Sequence, residues 1–368
     1  MGNVAKVVRR GWSSFMVAVW TVALAFGGNA ARAQARFIPL GFLPDGNYMS
    51  SGNAVSDTAP YTVVGFANTM VQSRVPFVWT EAGGMRAIGT AYGAALNISA
   101  DGSTVVGLNY GTSGNNGAWR WTQAGGMGGL GTGEAQAASA DGSVIVGSDN
   151  EHAWRWVAGG GRTLLPPLPG GGTQTADGVS ADGRYVVGQG YSVGGYRAYR
   201  YDASTNQLIT LGAGRAGNTT DSGYAVTPDG RFVTGSAAGA MARWVDGALV
   251  ERVNGTQAGN AITPDGSLIV GYTFLTGGGT QAVIWDAAHG MRNLKQALTN
   301  DYGLGTALAG WDLDNAMDVS ADGVAIVGTA TDPDGFQQAF VVLVPEPGTA
   351  GLAIGFACMV LGRRRRRC

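Results

Sequence analysis

Apolar residues in this chain come in short runs set off by glycine, asparagine and aspartate, and self-comparison resolves the runs into one recurring pattern. Six copies are clear: SADGSTVVG (99–107), SADGSVIVG (139–147), SADGRYVVG (180–188), TPDGRFVTG (227–235), TPDGSLIVG (263–271) and SADGVAIVG (320–328). A degenerate seventh, SDTAPYTVVG, comes first in the chain (56–65). The repeated acids are Asp57, Asp101, Asp141, Asp182, Asp229, Asp265 and Asp322. The closing glycines are Gly65, Gly107, Gly147, Gly188, Gly235, Gly271 and Gly328. Asp-Gly predicts a tight primed hairpin turn with positive φ, and the β-branched run after it predicts a buried strand. A second apolar strand follows, as in AWRW (118–121), AWRW (153–156), AYRY (198–201) and AVIW (282–285). Its second and fourth positions share a face, and the fourth is aromatic at Trp79, Trp121, Trp156, Tyr201, Trp244 and Trp285. A Gly-rich turn then leads to a short strand near Leu-Gly, as in GGLGT (128–132).

Four short strands in a unit of about 40 residues predict a β-propeller, ahead of a solenoid or a large sandwich. The last copy stops after its aromatic strand, QQAFVVLV (337–344), and the body begins with an orphan strand, RFIPLG (36–41). If the orphan completes the last unit, the sheet edges vanish and the ring locks. The expected fold is therefore all-β: a propeller of seven four-stranded blades closed by its N-terminal strand, with an N-terminal signal helix and a short C-terminal transmembrane helix.

Composition sharpens this picture at the chain ends. The chain has 368 residues, 63 of them Gly, with 13% charged and 45% hydrophobic. Glycine without a three-residue period excludes collagen, and the hydrophobic content excludes a disordered coil. Residues 1–33 read as a secretory signal peptide, with Lys6, Arg9 and Arg10, an apolar core over 14–26, and cleavage at Ala31-Arg32-Ala33. The core is too short to span a bilayer. Residues 344–368 (VPEPGTAGLAIGFACMVLGRRRRRC) join a Pro-Glu-Pro step at Pro345, Glu346 and Pro347 to a short apolar stretch. The basic cluster Arg363, Arg364, Arg365, Arg366 and Arg367 follows. By the positive-inside rule those arginines stop transfer and stay in the cytoplasm. The body between, 34–343, carries 15 Lys plus Arg against 24 Asp plus Glu, a net −9, which argues against nucleic acid as a partner. Both cysteines, Cys358 and Cys368, lie in the tail, so the body depends on packing and not on disulfides.

Two resemblances follow from these motifs. The units resemble the HAF-type extracellular repeats of bacterial surface proteins, which carry a His-Ala-aromatic tripeptide, an L-G-T step and an N/S-x-x-G-x-V-V-G hairpin. The likeness covers roughly 37–343, although one copy alone has the full tripeptide, His152-Ala153-Trp154. It implies a secreted, propeller-like body and no defined reaction. The tail resembles the PEP-CTERM sorting signal. That likeness implies recognition and cleavage near Pro-Glu-Pro by a membrane-embedded exosortase, a cysteine transpeptidase-like enzyme. It also implies transient anchoring in the inner membrane of a Gram-negative, exopolysaccharide-producing, biofilm-forming bacterium.

Candidate chemistry is sparse. The two histidines, His152 and His289, lack a nucleophile context such as G-x-S-x-G, and with no cysteine in the body they make a poor zinc set. Asp312, Asp314, Asp318 and Asp322 crowd WDLDNAMDVSADG, but the EF-hand pattern needs Gly and Glu where Met317 and Gly323 stand, so a solvated loop is expected. Asp332 and Asp334 in TDPDGF read as a turn. The N-x-S/T triplets at Asn97, Asn218 and Asn254 carry no weight in a bacterial protein. The repeated tryptophans read as packing between blades ahead of a sugar platform. The expectation is an exported, non-enzymatic surface or matrix module without a catalytic residue, metal or other cofactor. Its partners are the exosortase-like protease and exopolysaccharide or other matrix components. The alternatives are a carbohydrate-active enzyme with carboxylates in the propeller mouth and a calcium-dependent adhesin.

Overall fold

The computed structural model describes residues 34–345 except 90–91, 112–115, 213–218 and 254–257. The signal segment with Ala31 and Ala33, the tail residues Glu346 and Pro347 with the apolar stretch after them, and Arg363 to Arg367 lie outside the described residues. Among the described residues, no helix is long and apolar enough to cross a membrane.

Six of the seven sequence repeats fold into four antiparallel strands and the last into three, with one strand, β1 (Arg36–Gly41), ahead of them. The first unit is β2 (Gly46–Val55), β3 (Thr62–Thr69), β4 (Val75–Thr80) and β5 (Gly84–Ala87). The second is β6 (Gly93–Ile98), β7 (Thr104–Asn109), β8 (Gly117–Thr122) and β9 (Gly126–Thr132). The third is β10 (Glu134–Ala138), β11 (Val144–Ser148), β12 (Ala153–Val157) and β13 (Gly161–Leu164). The fourth is β14 (Gln174–Val179), β15 (Tyr185–Ser192), β16 (Gly195–Asp202) and β17 (Gln207–Thr210). The fifth is β18 (Thr219–Val226), β19 (Phe232–Ala237), β20 (Ala240–Val245) and β21 (Ala248–Val253). The sixth is β22 (Ala258–Ile262), β23 (Leu268–Phe274), β24 (Thr280–Asp286) and β25 (Gly290–Asn293). The last unit holds β26 (Asp312–Val319), β27 (Ala325–Thr331) and β28 (Gln337–Leu343), and β1 pairs antiparallel with β28, Arg36 opposite Leu343 and Phe37 opposite Val342.

In six of the seven units the second strand is apolar on both faces because both faces are covered, and in the fifth a buried Thr234 takes one of the two positions. Val63 packs with Val327 and Val341 of the last unit, whereas its neighbour Val64 packs with Val105 and Trp119 of the second. Side chains alternate across a strand, so a Val-Val pair serves two neighbouring units at once. The same division continues along the chain, with Val106 against Ile145 and Trp154, Val187 against Val233 and Trp244, and Val270 against Ile326 and Phe340. Each buried valine contributes about 1.5–3 kcal/mol.

The repeat's glycine has a steric cause. In every unit the first strand leaves a residue out of its ladder beside the closing glycine: Asn53, Leu96, Gln136, Asp177, Tyr224, Asn260 and Met317. The bulge drives a carbonyl against the closing glycine of the second strand. A Cβ on Gly65, Gly107, Gly147, Gly188, Gly235, Gly271 or Gly328 would stand 1.9–2.0 Å from that oxygen. The ring at the second position of the aromatic strand lies opposite the same glycine, as in Gly107 with Trp119 and Gly147 with Trp154.

The Asp-Gly segment is not the two-residue primed turn expected. Positive φ occurs at Gly102 (73°) and not at Asp101, and the loop runs from Ser99 to Thr104. Gly102 N–H donates to the Ser99 carbonyl at 2.9 Å, and Ser99 N–H to the Thr104 carbonyl at 2.8 Å. A type I′ turn needs left-handed geometry at both central residues, and an aspartate acting as side-chain acceptor stabilises the longer loop instead.

A helix, α1 (Leu294–Tyr302), was not expected. Asn293 caps its start by accepting from Gln296 N–H at 2.8 Å, Gly303 ends it at φ 71°, and Leu294, Ala297 and Leu298 bury one face. These i, i+3, i+4 positions and the Asn cap are legible in the sequence, inside the long interval between Asp265 and Asp322.

Candidate functional site

The turn residues form one side-chain device repeated six times. Ser99 Oγ donates to Asp101 Oδ1 at 2.6 Å, that oxygen accepts Ser103 N–H at 2.9 Å, and Ser99 Oγ accepts Thr104 N–H at 2.9 Å. Asp141, Asp182, Asp229, Asp265 and Asp322 sit in the same arrangement with Ser139, Ser180, Thr227, Thr263 and Ser320. The Ser143 N–H and hydroxyl hold the Asp141 carboxyl below its usual range, and the Thr227 hydroxyl with Arg231 N–H does the same for Asp229. These are structural carboxylates, occupied by their own loops.

Asp57 is different. Its position matches the alanine or proline of the other copies, because Ser56 Oγ accepts Thr62 N–H as Ser99 Oγ accepts that of Thr104. Asp57 Oδ1 instead accepts Ala321 N–H of the last unit at 3.0 Å. Reciprocally, Asp318 Oδ2 of the last unit accepts Val55 N–H of the first at 3.0 Å. Burial pushes the Asp57 carboxyl up, and burial with the nearby Asp57 charge pushes Asp318 to about 7. The expected solvated acidic loop is therefore a strand, β26, that delivers Asp318 to a seam. Its other acids diverge: Asp312 lies 3.6 Å from Lys295 Nζ, Asp314 accepts from Thr331 at 2.9 Å, and Asp322 serves its turn. Among the described residues, no three His, Cys, Asp or Glu gather as a metal set.

The C-terminal ends of the first strands from all seven units converge on one pocket of about 150 Å³. Val55, Ile98, Ala138, Val179, Val226, Ile262 and Val319 line it, with Asp57, Asn97, Thr227 and Asp318 as its polar exceptions. An off-repeat carboxylate pair is thus present in a mouth, the arrangement a glycosidase would need. Yet each carboxylate accepts a neighbouring unit's amide, and the pocket's volume is below the roughly 300 Å³ typical of small-molecule sites. Asn97, part of a glycosylation triplet given no weight in the sequence, performs the same lateral task, its Oδ1 accepting Ala138 N–H at 3.2 Å. Asn53 donates to the Ala95 carbonyl oxygen at 2.7 Å and Asn260 to that of Ala316 at 2.9 Å.

Away from this pocket, arginines of one unit reach the next. Arg120 lies over the Trp156 ring at 5.3 Å, Arg86 over Trp121 at 5.4 Å and Arg243 over Trp285 at 5.2 Å. Arg155 donates to the Gly183 carbonyl, as Arg200 does to that of Gly230. Trp79, Tyr201, Trp244 and Trp285 are buried, and Trp121 and Trp156 are half-buried beneath Arg86 and Arg120, so the repeated aromatics pack and do not form a platform.

His152 lines a second, polar cleft of about 290 Å³ between the second and third units, with Asn116, Thr132, Asp149, Asn150 and Glu151. Its Nδ1 is 3.4 Å from Asp149 Oδ1, and Arg162 pairs with the same carboxylate at 2.9 Å. His289 pairs with Asp286 at 2.9 Å in a turn elsewhere. The structure does not bring the two histidines together. Asp332 closes its expected turn by accepting Asp334 and Phe336 N–H. Pro345, half-buried, follows Val344, whose N–H donates to the Val324 carbonyl at 2.8 Å.

No family model and no curated protein matches the chain. Solved structures do. The β-propeller domain of Cps50 (Swd1) from Myceliophteria thermophila matches over 81% of this chain and 98% of its own, at 12% identity and a TM-score of 0.52. TolB from Acinetobacter baumannii matches over 80% of each chain at 14% identity and 0.45. The β-propeller domain of the Trilobed protease from Pyrococcus furiosus matches over 80% of this chain and 95% of its own, at 11% identity and 0.48. At these identities the likeness is one of fold: the chain is an all-β, propeller-like protein.

Proposed function

We propose that the chain is an exported seven-bladed β-propeller, closed by β1 on β28, that serves at the cell surface or in the extracellular matrix as a non-enzymatic binding and structural module. The observation that carries this reading is the seam between the last and first units. There the carboxylates that a hydrolase would use are spent as acceptors for Ala321 and Val55 N–H. A general acid or base has to reach a substrate proton, and these oxygens face amides in an alanine- and valine-lined pocket. Closure is supported by Arg36 to Gly41 on β28, by the Val63–Val327 packing and by Ser51 Oγ to Thr329 Oγ1 at 2.7 Å.

The route to the surface rests on the sequence ends. The signal peptide exports the body, and the Pro-Glu-Pro tail hands it to an exosortase-like protease. Intact mass of the protein exported by its native host tests this directly. A C-terminus near Pro345 is expected, and retention of Arg367 refutes processing. Incubation of the same sample with polysaccharides is expected to release no new reducing ends.

A further inference from the structure

Resting on the export proposed above for contact with an oxidant, we propose that Tyr92 and Tyr110 form an oxidative cross-linking site. There a haem peroxidase fed by hydrogen peroxide joins the two phenol rings into dityrosine. The end of the propeller opposite the Asp-Gly turns carries the exposed aromatics Tyr48, Tyr92, Tyr191, Phe274 and Phe336. Among the described residues, two ring pairs set tyrosine against tyrosine: Tyr92 with Tyr110, centroids 4.6 Å apart, and Tyr191 with Tyr196 at 5.5 Å. The first pair is tilted by 36°, nearer to stacked than to edge-on, whereas the second meets edge to face at 78°. A phenoxyl radical holds its unpaired electron in the π system, so two such rings couple through their faces, and the first geometry suits that approach.

The main chain and one cation fix this pair. Tyr92 and Tyr110 flank the Gly93–Asn109 step that ends the β6–β7 ladder, and Tyr110 N–H donates to the Tyr92 carbonyl at 2.8 Å. Arg74 Nη1 donates to the Tyr110 hydroxyl at 2.8 Å, and its guanidinium also lies over the Phe66 ring at 4.9 Å. Tyr92 is 40% exposed, so an oxidant reaches it from solvent. The body has no thiol to intercept that oxidant, since both cysteines lie in the tail. In the reaction each phenol gives up one proton and one electron, and hydrogen peroxide takes them up as its O–O bond breaks to leave two waters. A Cε carbon of Tyr92, ortho to the phenol oxygen, then bonds to a Cε carbon of Tyr110. Each of these carbons loses its hydrogen as a proton, and each phenol oxygen regains one, which restores both rings. The product is lighter by two hydrogens. It ties the start of β6 to the end of β7, the service that a disulfide gives other exported proteins.

Peroxidase and a limiting amount of hydrogen peroxide, added to a dilute solution of the protein exported by its host, test the site. The expected product is a monomer with dityrosine fluorescence, whose digest contains the peptides of Tyr92 and Tyr110 joined and lighter by two hydrogens. Oxidation of the exposed Met70 adds an oxygen instead, so the digest tells the two reactions apart. Tyr110→Phe should lower the fluorescence about tenfold, while Tyr196→Phe leaves it unchanged. If Tyr110→Phe does not fold, Tyr92→Phe and the wild-type digest decide the same point. No joined peptide, a link at Tyr191 and Tyr196 or between molecules alone, or undiminished fluorescence in Tyr110→Phe overturns the proposal. Intact mass before oxidation reads the C-terminus, so export and processing are judged separately.

Discussion

Replacing Asp318 by Asn probes the seam through its pH dependence. Asp318 carries a carboxyl raised from 3.8 to about 7, first by burial and then by the Asp57 charge. Between those values the unfolded chain releases this proton and the folded chain keeps it, so the folded state loses stability as pH rises from about 4 to 7. A shift of about three units corresponds to at most about 4 kcal/mol, at about 1.36 kcal/mol per unit. Partial exposure of Asp318 in the pocket screens some of this, leaving about 2 kcal/mol. In Asp318→Asn the amide oxygen still accepts Val55 N–H, while the acceptor for Val319 N–H is lost at every pH. The readout is therefore the slope and not the absolute stability. Urea denaturation at pH 5, 6.5 and 8 should show wild type losing stability as pH rises and the variant losing about 2 kcal/mol less. Asp177, also raised to about 7 by burial, titrates with the same sign and remains in the variant, so the slope shrinks without vanishing. A variant with the wild-type slope refutes the assignment of Asp318 as a charge-penalised seam residue.

Gly147→Ala would place a Cβ 1.9 Å from the Glu134 carbonyl oxygen and should cost about 3 kcal/mol, whereas Gly128→Ala, with open space around it, should stay within about 0.5 kcal/mol by urea denaturation. Truncating Trp154, fully buried against Val106 and Ile145, to Ala should cost about 3–5 kcal/mol in the same assay. Removing residues 34–41 strips buried Leu40 and the Phe37 ring, 5.0 Å from Trp311, from the last unit. A loss of about 5 kcal/mol is expected, with self-association through the bared β28 edge in light scattering; a monomer of unchanged melting temperature would refute closure.

Repeat boundaries, the strand alternation, the turn aspartates and the pairing of residues 36–41 with 337–344 are legible in the chain. Each depends on residues close in sequence or on an unmatched strand needing a partner. The turn type is not, because Asp-Gly alone signals a two-residue hinge, whereas a hydroxyl five residues upstream of the next strand organises the loop. The closing glycines are visible, but not the carbonyl that forbids a Cβ there, since a bulge in the preceding strand leaves no local mark.

The lateral links have no such mark at all. Asp318 meets Val55 across 263 residues and Asp57 meets Ala321 across 264, so neither role follows from its neighbours. In the sequence Asp57 reads as a turn residue and Asp318 as part of a solvated loop. The exposed tyrosines and phenylalanines carry no repeat signature either, and gather at one end because antiparallel pairing brings scattered connections together. Alternation and turn chemistry act over a few residues and can be read along the chain. Which carboxyl is buried, and which ring is left in solvent, depends on units that only packing makes neighbours.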